Sequence, residues 1–247
     1  MAMSPRLLRP LATGFNPKSI AGLITWIDFA DTAAVTLDGS NKISAVTDKS
    51  GSGYNGTQTT SGNRLGVSTL NGRQCADGGT EAHSLAVRYT HLPGATLNYQ
   101  EGYFAGIWDA GGSTFPTYNG IMSGASVTGS GVGAFVIGQV NVNGFNASGT
   151  FTRTTDGGSV IAINNTSAAN GAISPFPAIT SAFVMRGFAN NSVGVNGWTI
   201  GTDRAEAGRG WLGRIGEVMF FNRVLASSEA LKVRRYLAIK WGAPAQT

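Results

Sequence analysis

Six Asn-Gly dipeptides punctuate the chain: Asn55-Gly56, Asn71-Gly72, Asn119-Gly120, Asn143-Gly144, Asn170-Gly171 and Asn196-Gly197. Both residues tolerate positive φ, which a two-residue type I′ hairpin turn requires, so the spacing predicts tight chain reversals. Between them lie short β-branched or aromatic runs, among them Ala134-Phe135-Val136-Ile137, Ser159-Val160-Ile161-Ala162-Ile163 and Ala182-Phe183-Val184-Met185. Repeated short strands with turn signals predict an all-β chain, an antiparallel sandwich or barrel. Glycine, at 36 of 247 residues, reaches roughly double its usual share of about 7%. Sandwiches commonly run to this length as one unit. We therefore expect a single antiparallel β-sandwich over about residues 17–242, with one short helix and an extended N-terminal arm.

The run Ile215 to Phe221 is apolar on both parities. Ile215, Met219 and Phe221 are expected on one side and Val218 and Phe220 on the other, as in a strand covered on both faces. The helix is expected over residues 227–240. Ser227 can cap it, Glu229 sits in the positive first turn, and Arg234, Arg235 and Lys240 populate later turns. Ala230, Val233, Leu237 and Trp241 share one face, and Gly242 then Pro244 end the pattern. Such a helix is expected to close one end of the sandwich.

Residues 1–16 read differently, as an arm preceding a domain of residues 17–247. Arg6, Leu7, Leu8, Arg9 and Leu11 lie between and beside Pro5 and Pro10. Proline removes a backbone donor and disfavours helix in the residue before it, so this segment is expected to be extended. Three leucines are unusual in a merely solvated tail, which points to an arm docking on a neighbouring subunit and to a homo-oligomer. Arg6 and Arg9 flank only Leu7-Leu8, with no apolar stretch of the length a secretory signal needs.

The net charge of +5 comes from 18 Lys and Arg against 13 Asp and Glu. Phosphate neutralisation needs clustered cations; these are spread along the chain with one concentration from Arg204 to Lys240, and no basic stripe alternates with aromatics, so no nucleic-acid partner is expected. The longest apolar runs, such as Val218-Met219-Phe220-Phe221, are strand-sized, so no membrane partner is expected either. Cys75 stands alone, which excludes an intrachain disulfide and a cysteine-based zinc site.

Catalysis needs placed acids, bases or nucleophiles, and the chain is poor in them. His83 and His91 are the only histidines, with no HExxH pattern, no G-x-S-x-G elbow and no phosphate loop. No metal site is expected. Asp28 and Asp31 lie close in sequence, and a set of three carboxylates and a loop carbonyl would bind Ca²⁺ there. Beyond that possibility no cofactor is expected.

Two blocks at opposite ends carry a resemblance. The first runs from Phe15 through Pro17, Gly22 and Trp26 to Asp28, followed by Val46-Thr47-Asp48-Lys49-Ser50-Gly51-Ser52-Gly53 and Gln58. The second runs from Gly213-Arg214-Ile215-Gly216-Glu217 to Leu225 and on into Tyr236-Leu237-Ala238-Ile239-Lys240-Trp241-Gly242. Together they resemble the concanavalin A-like lectin/glucanase (laminin-G-like) jelly rolls common in bacterial surface and bacteriophage structural proteins. The opening Ser4-Pro5-Arg6-Leu7-Leu8-Arg9-Pro10 is similar to the start of phage and prophage versions. Glucanases of that fold carry their acids on one strand as Glu-x-Asp-x-x-Glu, and Glu217, followed by Val218-Met219-Phe220, does not match. The resemblance thus implies the fold without the hydrolase.

The motif residues read as scaffold. Asp48 can accept backbone N–H bonds in a turn that Gly51 completes at positive φ. Trp26 and Trp241 are anchors suited to packing the first strand against the terminal helix. Glu217, in an apolar strand, needs a partner if buried, and Arg214 or Arg223 is the expected one. The expectation for function is a non-enzymatic virion structural protein, displayed on the outside of a phage particle, with capsid decoration or cement slightly favoured over a tail component. It would be made in the host cytoplasm and held to other virion proteins by its arm. The alternative is a glycan-binding module, a receptor-binding tail tip or a bacterial surface lectin for cell-surface glycans. Sugar sites favour exposed aromatics beside Asn or Asp, which Trp108-Asp109, Tyr118-Asn119 and Trp198 would supply from predicted loops.

Overall fold

The computed structural model describes residues 14–79, 90–109, 119–124, 133–139, 142–145, 160–163, 166–169, 181–202 and 210–246. Their strands are β1 (Leu23–Asp28), β2 (Val35–Leu37), β3 (Ile43–Val46), β4 (Gly56–Thr57), β5 (Gly66–Leu70), β6 (Arg73–Asp77) and β7 (Thr90–Trp108). There follow β8 (Asn119–Gly124), β9 (Gly133–Gln139), β10 (Val142–Phe145), β11 (Val160–Ile163), β12 (Thr166–Ala169), β13 (Phe183–Ile200) and β14 (Gly213–Phe221). One helix, α1 (Ser227–Trp241), closes the sequence of elements. Every pairing among the described strands is antiparallel. The chain is thus an antiparallel all-β protein with one short C-terminal helix.

Two long strands organise the rest. β7 and β13 pair along most of their lengths, with register shifts between Phe188 and Val193 and between Val195 and Gly197. The last residues of β7, Glu101 to Trp108, also pair with β14, which carries β1 and β6 on its far side. The first residues of β13 take β11 and then β12. At the other end, His91 of β7 pairs with β4, which leads to β3 and β2, while Trp198 to Ile200 of β13 pair with β8 and so with β9 and β10. The two strands therefore belong to both halves of the sheet, in a sandwich-like arrangement. A core packs residues from both, including Ile27, Phe29, Val46, Phe104, Ile121, Trp198, Trp211 and Phe220.

The helix covers a sheet face rather than one end. Val233, Leu237 and Trp241 pack with Tyr103, Ala105, Val184, Met219 and Phe221 in a second core. β14 is buried on both faces, as its apolar run predicts, but the assignment of sides differs from simple alternation. Ile215 shares the first core with Val218 and Phe220, whereas Met219 and Phe221 face the helix. A register shift against β7 explains the change: Ile215 opposes Gly106 and Glu217 opposes Ala105, leaving Gly216 as the extra residue of a bulge. The bulge turns Ile215 inward, while Glu217 keeps the helix side together with Met219 and Phe221.

The Asn-Gly dipeptides divide into two uses. Asn71 and Gly72 sit at φ 49 and 71 between Leu70 and its partner Arg73, forming the expected primed hairpin. Gly120, Gly144 and Gly197 instead lie in β8, β10 and β13, where each strand's register shifts, and Gly56 lies in β4. A strand glycine without a side chain to pack accommodates an irregular ladder, which is the competing role. Asn170-Gly171 falls outside the described residues.

Helix α1 begins at Ser227 as expected, but its cap lies one residue earlier. Ala226, not Ser227, is the N-cap, and its N–H donates to the Glu229 carboxylate at 3.0 Å. Gly242 ends the helix at φ 74, the left-handed conformation glycine tolerates. Most of the N-terminal arm lies outside the described residues. Its last part belongs to the fold, because the Phe15 ring packs 5.5 Å from that of Tyr236 and Asn16 Oδ1 accepts from Lys18 N.

The bulge yields a prediction. A Cβ built on Gly216 would overlap the Trp241 ring. Gly216→Val should therefore lower stability by about 1–3 kcal/mol, the usual cost of overpacking a filled core. Chemical denaturation would read this as a lower midpoint, and an unchanged midpoint would mean that the ring is free to shift.

Candidate functional site

The register of β1 on β14 sets Asp28 directly opposite Glu217. Like charges across a ladder repel, and burial makes an uncompensated carboxylate more costly still. Both acids are nevertheless buried, Glu217 completely. Donors from two elements make this possible. Trp26 Nε1 of β1 donates to Glu217 Oε1 at 2.6 Å and Trp241 Nε1 of α1 donates to Oε2 at 3.0 Å. Tyr236 OH donates to Oε1 at 3.1 Å, and Lys240 Nζ donates to Oε2 at 2.7 Å. The same Lys240 ammonium donates to Asp28 Oδ1 at 2.7 Å and so bridges the two acids.

Lys49 extends the cluster outward, donating to Asp28 Oδ2 at 2.9 Å and pairing with Asp31 Oδ2 at 2.7 Å. Burial raises the Glu217 carboxyl above its ordinary range, the Asp28 charge adds to this, and Lys240 opposes both. Burial also pushes the Tyr236 phenol well above its ordinary value, helped by the Glu217 charge. The expected partners of Glu217 are otherwise engaged. Arg214 makes a two-pronged pair with Asp109, each bond 2.7 Å, and Arg223 pairs with Glu229. The difference arises because the docked helix brings Trp241, Tyr236 and Lys240 onto Glu217.

Three smaller constellations share this character. Asp48 accepts from Trp26 N at 2.8 Å, Ser50 N at 2.9 Å and Tyr54 N at 3.2 Å, and Gly51 follows at φ 99, so the expected turn is pinned to β1. Glu101, fully buried on β7, accepts from Arg186 Nε at 2.8 Å, from Leu225 N at 2.8 Å and from Tyr103 OH. Sequence reasoning missed Glu101, although it gives the same signal as Glu217, a lone acid in an apolar strand. Arg223 grips Glu229 through two bonds of 2.9 and 2.7 Å just ahead of the helix.

The residues expected to touch a glycan are not assembled into one site. Trp108 and Trp198 lie in strands rather than loops and are 2% and 0% exposed. Trp108 packs 5.1 Å from Trp211, and Trp198 stacks on Phe220 at 4.3 Å, because both face the first core. The Asp109 carboxylate is held by Arg214, and Asn119 begins β8 opposite Ile137. Tyr118 lies outside the described residues, as does His83. Asp31 begins a turn, its Oδ1 accepting from Ala33 N at 3.2 Å. Asp28 and Asp31 are bridged by the Lys49 ammonium, and among the described residues no three His, Cys, Asp or Glu side chains group as metal ligands. Among those residues, too, no helix is long and apolar enough to cross a membrane. Burial pushes the Cys75 thiol up to about 12, away from the reactive thiolate.

In comparisons with known proteins, no family model, no curated protein and no solved structure matched the chain.

Two partly buried ion pairs make the fold sensitive to acid. Hydrogen bonds from Arg223 and then from Ala226 N–H hold Glu229 down to about 2, and Arg64 with Lys42 N–H does the same for Asp38. A carboxyl held below its unfolded value of about 4 contributes stability above that value and loses it as pH falls toward the folded one. Glu217, raised instead, acts with the opposite sign. The melting temperature should fall between about pH 5 and pH 2. Arg223→Met should make that fall shallower, and an unaltered slope would remove Glu229 as a contributor.

Proposed function

We propose that the chain is a non-enzymatic structural component of a bacteriophage particle. In this reading a concanavalin A-like jelly roll is displayed on the outer surface, more as capsid decoration than as a tail part. Its N-terminal arm, with Arg6, Leu7, Leu8, Arg9 and Leu11, fastens it to neighbouring virion subunits and to copies of itself.

One observation carries the reading. The two blocks that bear the resemblance meet in space, and their acids are spent on holding each other. Trp26, Asp28 and Asp48 come from the first block, and Glu217, Tyr236, Lys240 and Trp241 from the second. A general acid or base must reach a substrate proton, whereas Glu217 is fully buried under four donors of the protein itself. Such a centre suits a rigid module more than a turnover site. Low charge and a framework without a disulfide fit a module that persists outside a cell. The glycan-binding alternative loses its main support with the burial of Trp108 and Trp198.

Deleting residues 2–13 tests the assembly role. The truncated chain should keep its melting temperature yet fail to join particles or oligomers, and assembly of the full chain should weaken as salt screens the arginines. Unchanged incorporation would reduce the arm to a tail, and a collapsed melting temperature would make it part of the domain.

The non-enzymatic part has its own check. No reducing sugar should be released from common β-glucans. Release that disappears in Glu217→Gln would turn the reading into a hydrolase, and specific retention on a glycan array would turn it into a lectin.

A further inference from the structure

The cluster where β1, β14 and α1 meet contains more than a hydrogen-bonded clamp requires. A primary amine, Lys240 Nζ, touches one carboxyl group at Asp28 Oδ1 and a second at Glu217 Oε2, each at 2.7 Å. The three side chains are 12%, 6% and 0% exposed. Trp26, Tyr236 and Trp241 surround them and donate to Glu217. An amine held against a carboxyl in a site closed to water is the arrangement from which an amide forms by loss of water.

We propose that Lys240 and Asp28 become joined by an intramolecular isopeptide bond, with Glu217 carrying the proton. The Lys240 ammonium gives one proton to the Glu217 carboxylate, and the freed amine attacks Asp28 Cγ. Negative charge on Oδ2 is met by Lys49 Nζ, which already lies 2.9 Å from that oxygen. Oδ1 then takes the proton held by Glu217 and a second from the added nitrogen. The Cγ–Oδ1 bond breaks, the Nζ–Cγ amide remains, and one water leaves. One ammonium and one carboxylate become one amide and one water, with no change of oxidation state and no co-reactant.

Three physical arguments favour the step. Held reactants react as if at effective concentrations of about 10⁵–10⁸ M, which offsets the unfavourable condensation seen in water. The cluster of Asp28, Asp31 and Glu217 against Lys49 and Lys240 holds one more acid than base, which favours a proton moving onto a carboxylate, and the most buried is Glu217. Converting a buried ion pair into a neutral amide also removes its desolvation cost. Lys49 is the less suitable nucleophile, being 24% exposed and shared with Asp31. The bond would close a loop between positions 212 apart, a covalent tie from the first strand to the last helix in a chain whose single Cys75 cannot supply one.

The test uses the full chain. After incubation folded at neutral pH, its intact mass should fall below the sequence mass by one water. Trypsin, unable to cut after an acylated Lys240, should release one branched peptide joining residues 19–42 to residues 236–247. Lys240→Arg keeps the charge without the nucleophilic amine and should show the full sequence mass. Glu217→Gln should slow bond formation at least about a hundredfold, the usual share of a placed acid–base, with circular dichroism confirming that it is folded. Wild-type protein at the full sequence mass, releasing residues 19–42 and 236–240 separately, would overturn the proposal whatever the variants do. A branch from residues 19–42 to residues 43–64 would also overturn it, since the bond would then belong to Lys49.

Discussion

A single ammonium between two opposed carboxylates holds the ends of this chain together. Asp28 and Glu217 face each other across the β1–β14 ladder, a pairing that repels unless a cation lies between them. Lys240 supplies the cation only when α1 is docked on the sheet, and the docked helix also delivers the Trp241 and Tyr236 donors. First strand, last strand and helix are therefore mutually dependent. Losing one partner of such a buried pair typically costs about 3–5 kcal/mol, because the remaining charge stays desolvated.

That dependence fixes much of the surrounding geometry. Glu217 emerges on the helix side with Met219 and Phe221, and the absence of a Cβ at Gly216 leaves room for the Trp241 ring. The Asp48 turn is tied to the same place by the N–H of Trp26, the residue whose indole binds Glu217. On the other edge of β14, Glu101 plays a comparable part, joining β7 to β13 through Arg186 and to the lead into α1 through Leu225 N. The long strands β7 and β13 connect these fastened regions to the remainder of the sheet. Buried acids thus occur where elements distant in sequence must meet, and apolar packing fills the space between.

Much of this was legible in residue order. Turn dipeptides and β-branched runs predict antiparallel strands, the spacing of Ala230, Val233, Leu237 and Trp241 predicts the helix, and Asp48 with Gly51 predicts the turn; all are found. These are local signals, set by φ preferences and by periodicity. The anchoring role of Trp26 and Trp241 was legible as well, since large aromatics in end blocks have few other uses. Glu101 was equally visible in principle, and its importance emerges only from the residues packed on it.

Partners across the chain were not legible. Arg214 and Arg223 are nearest to Glu217 in sequence, yet Asp109 and Glu229 engage them and the docked helix brings Lys240 to the acid instead. Trp108 and Trp198 look like loop aromatics beside polar neighbours, but the pairing of two long strands sends both rings into the core. The sequence by itself determined the element types, the turn at Asn71-Gly72, the helix face and the need of a buried acid for partners. Tertiary structure alone decided which partners those are, because strand register and one bulge set the side of the sheet on which a side chain emerges, and neither is encoded within any short window of residues.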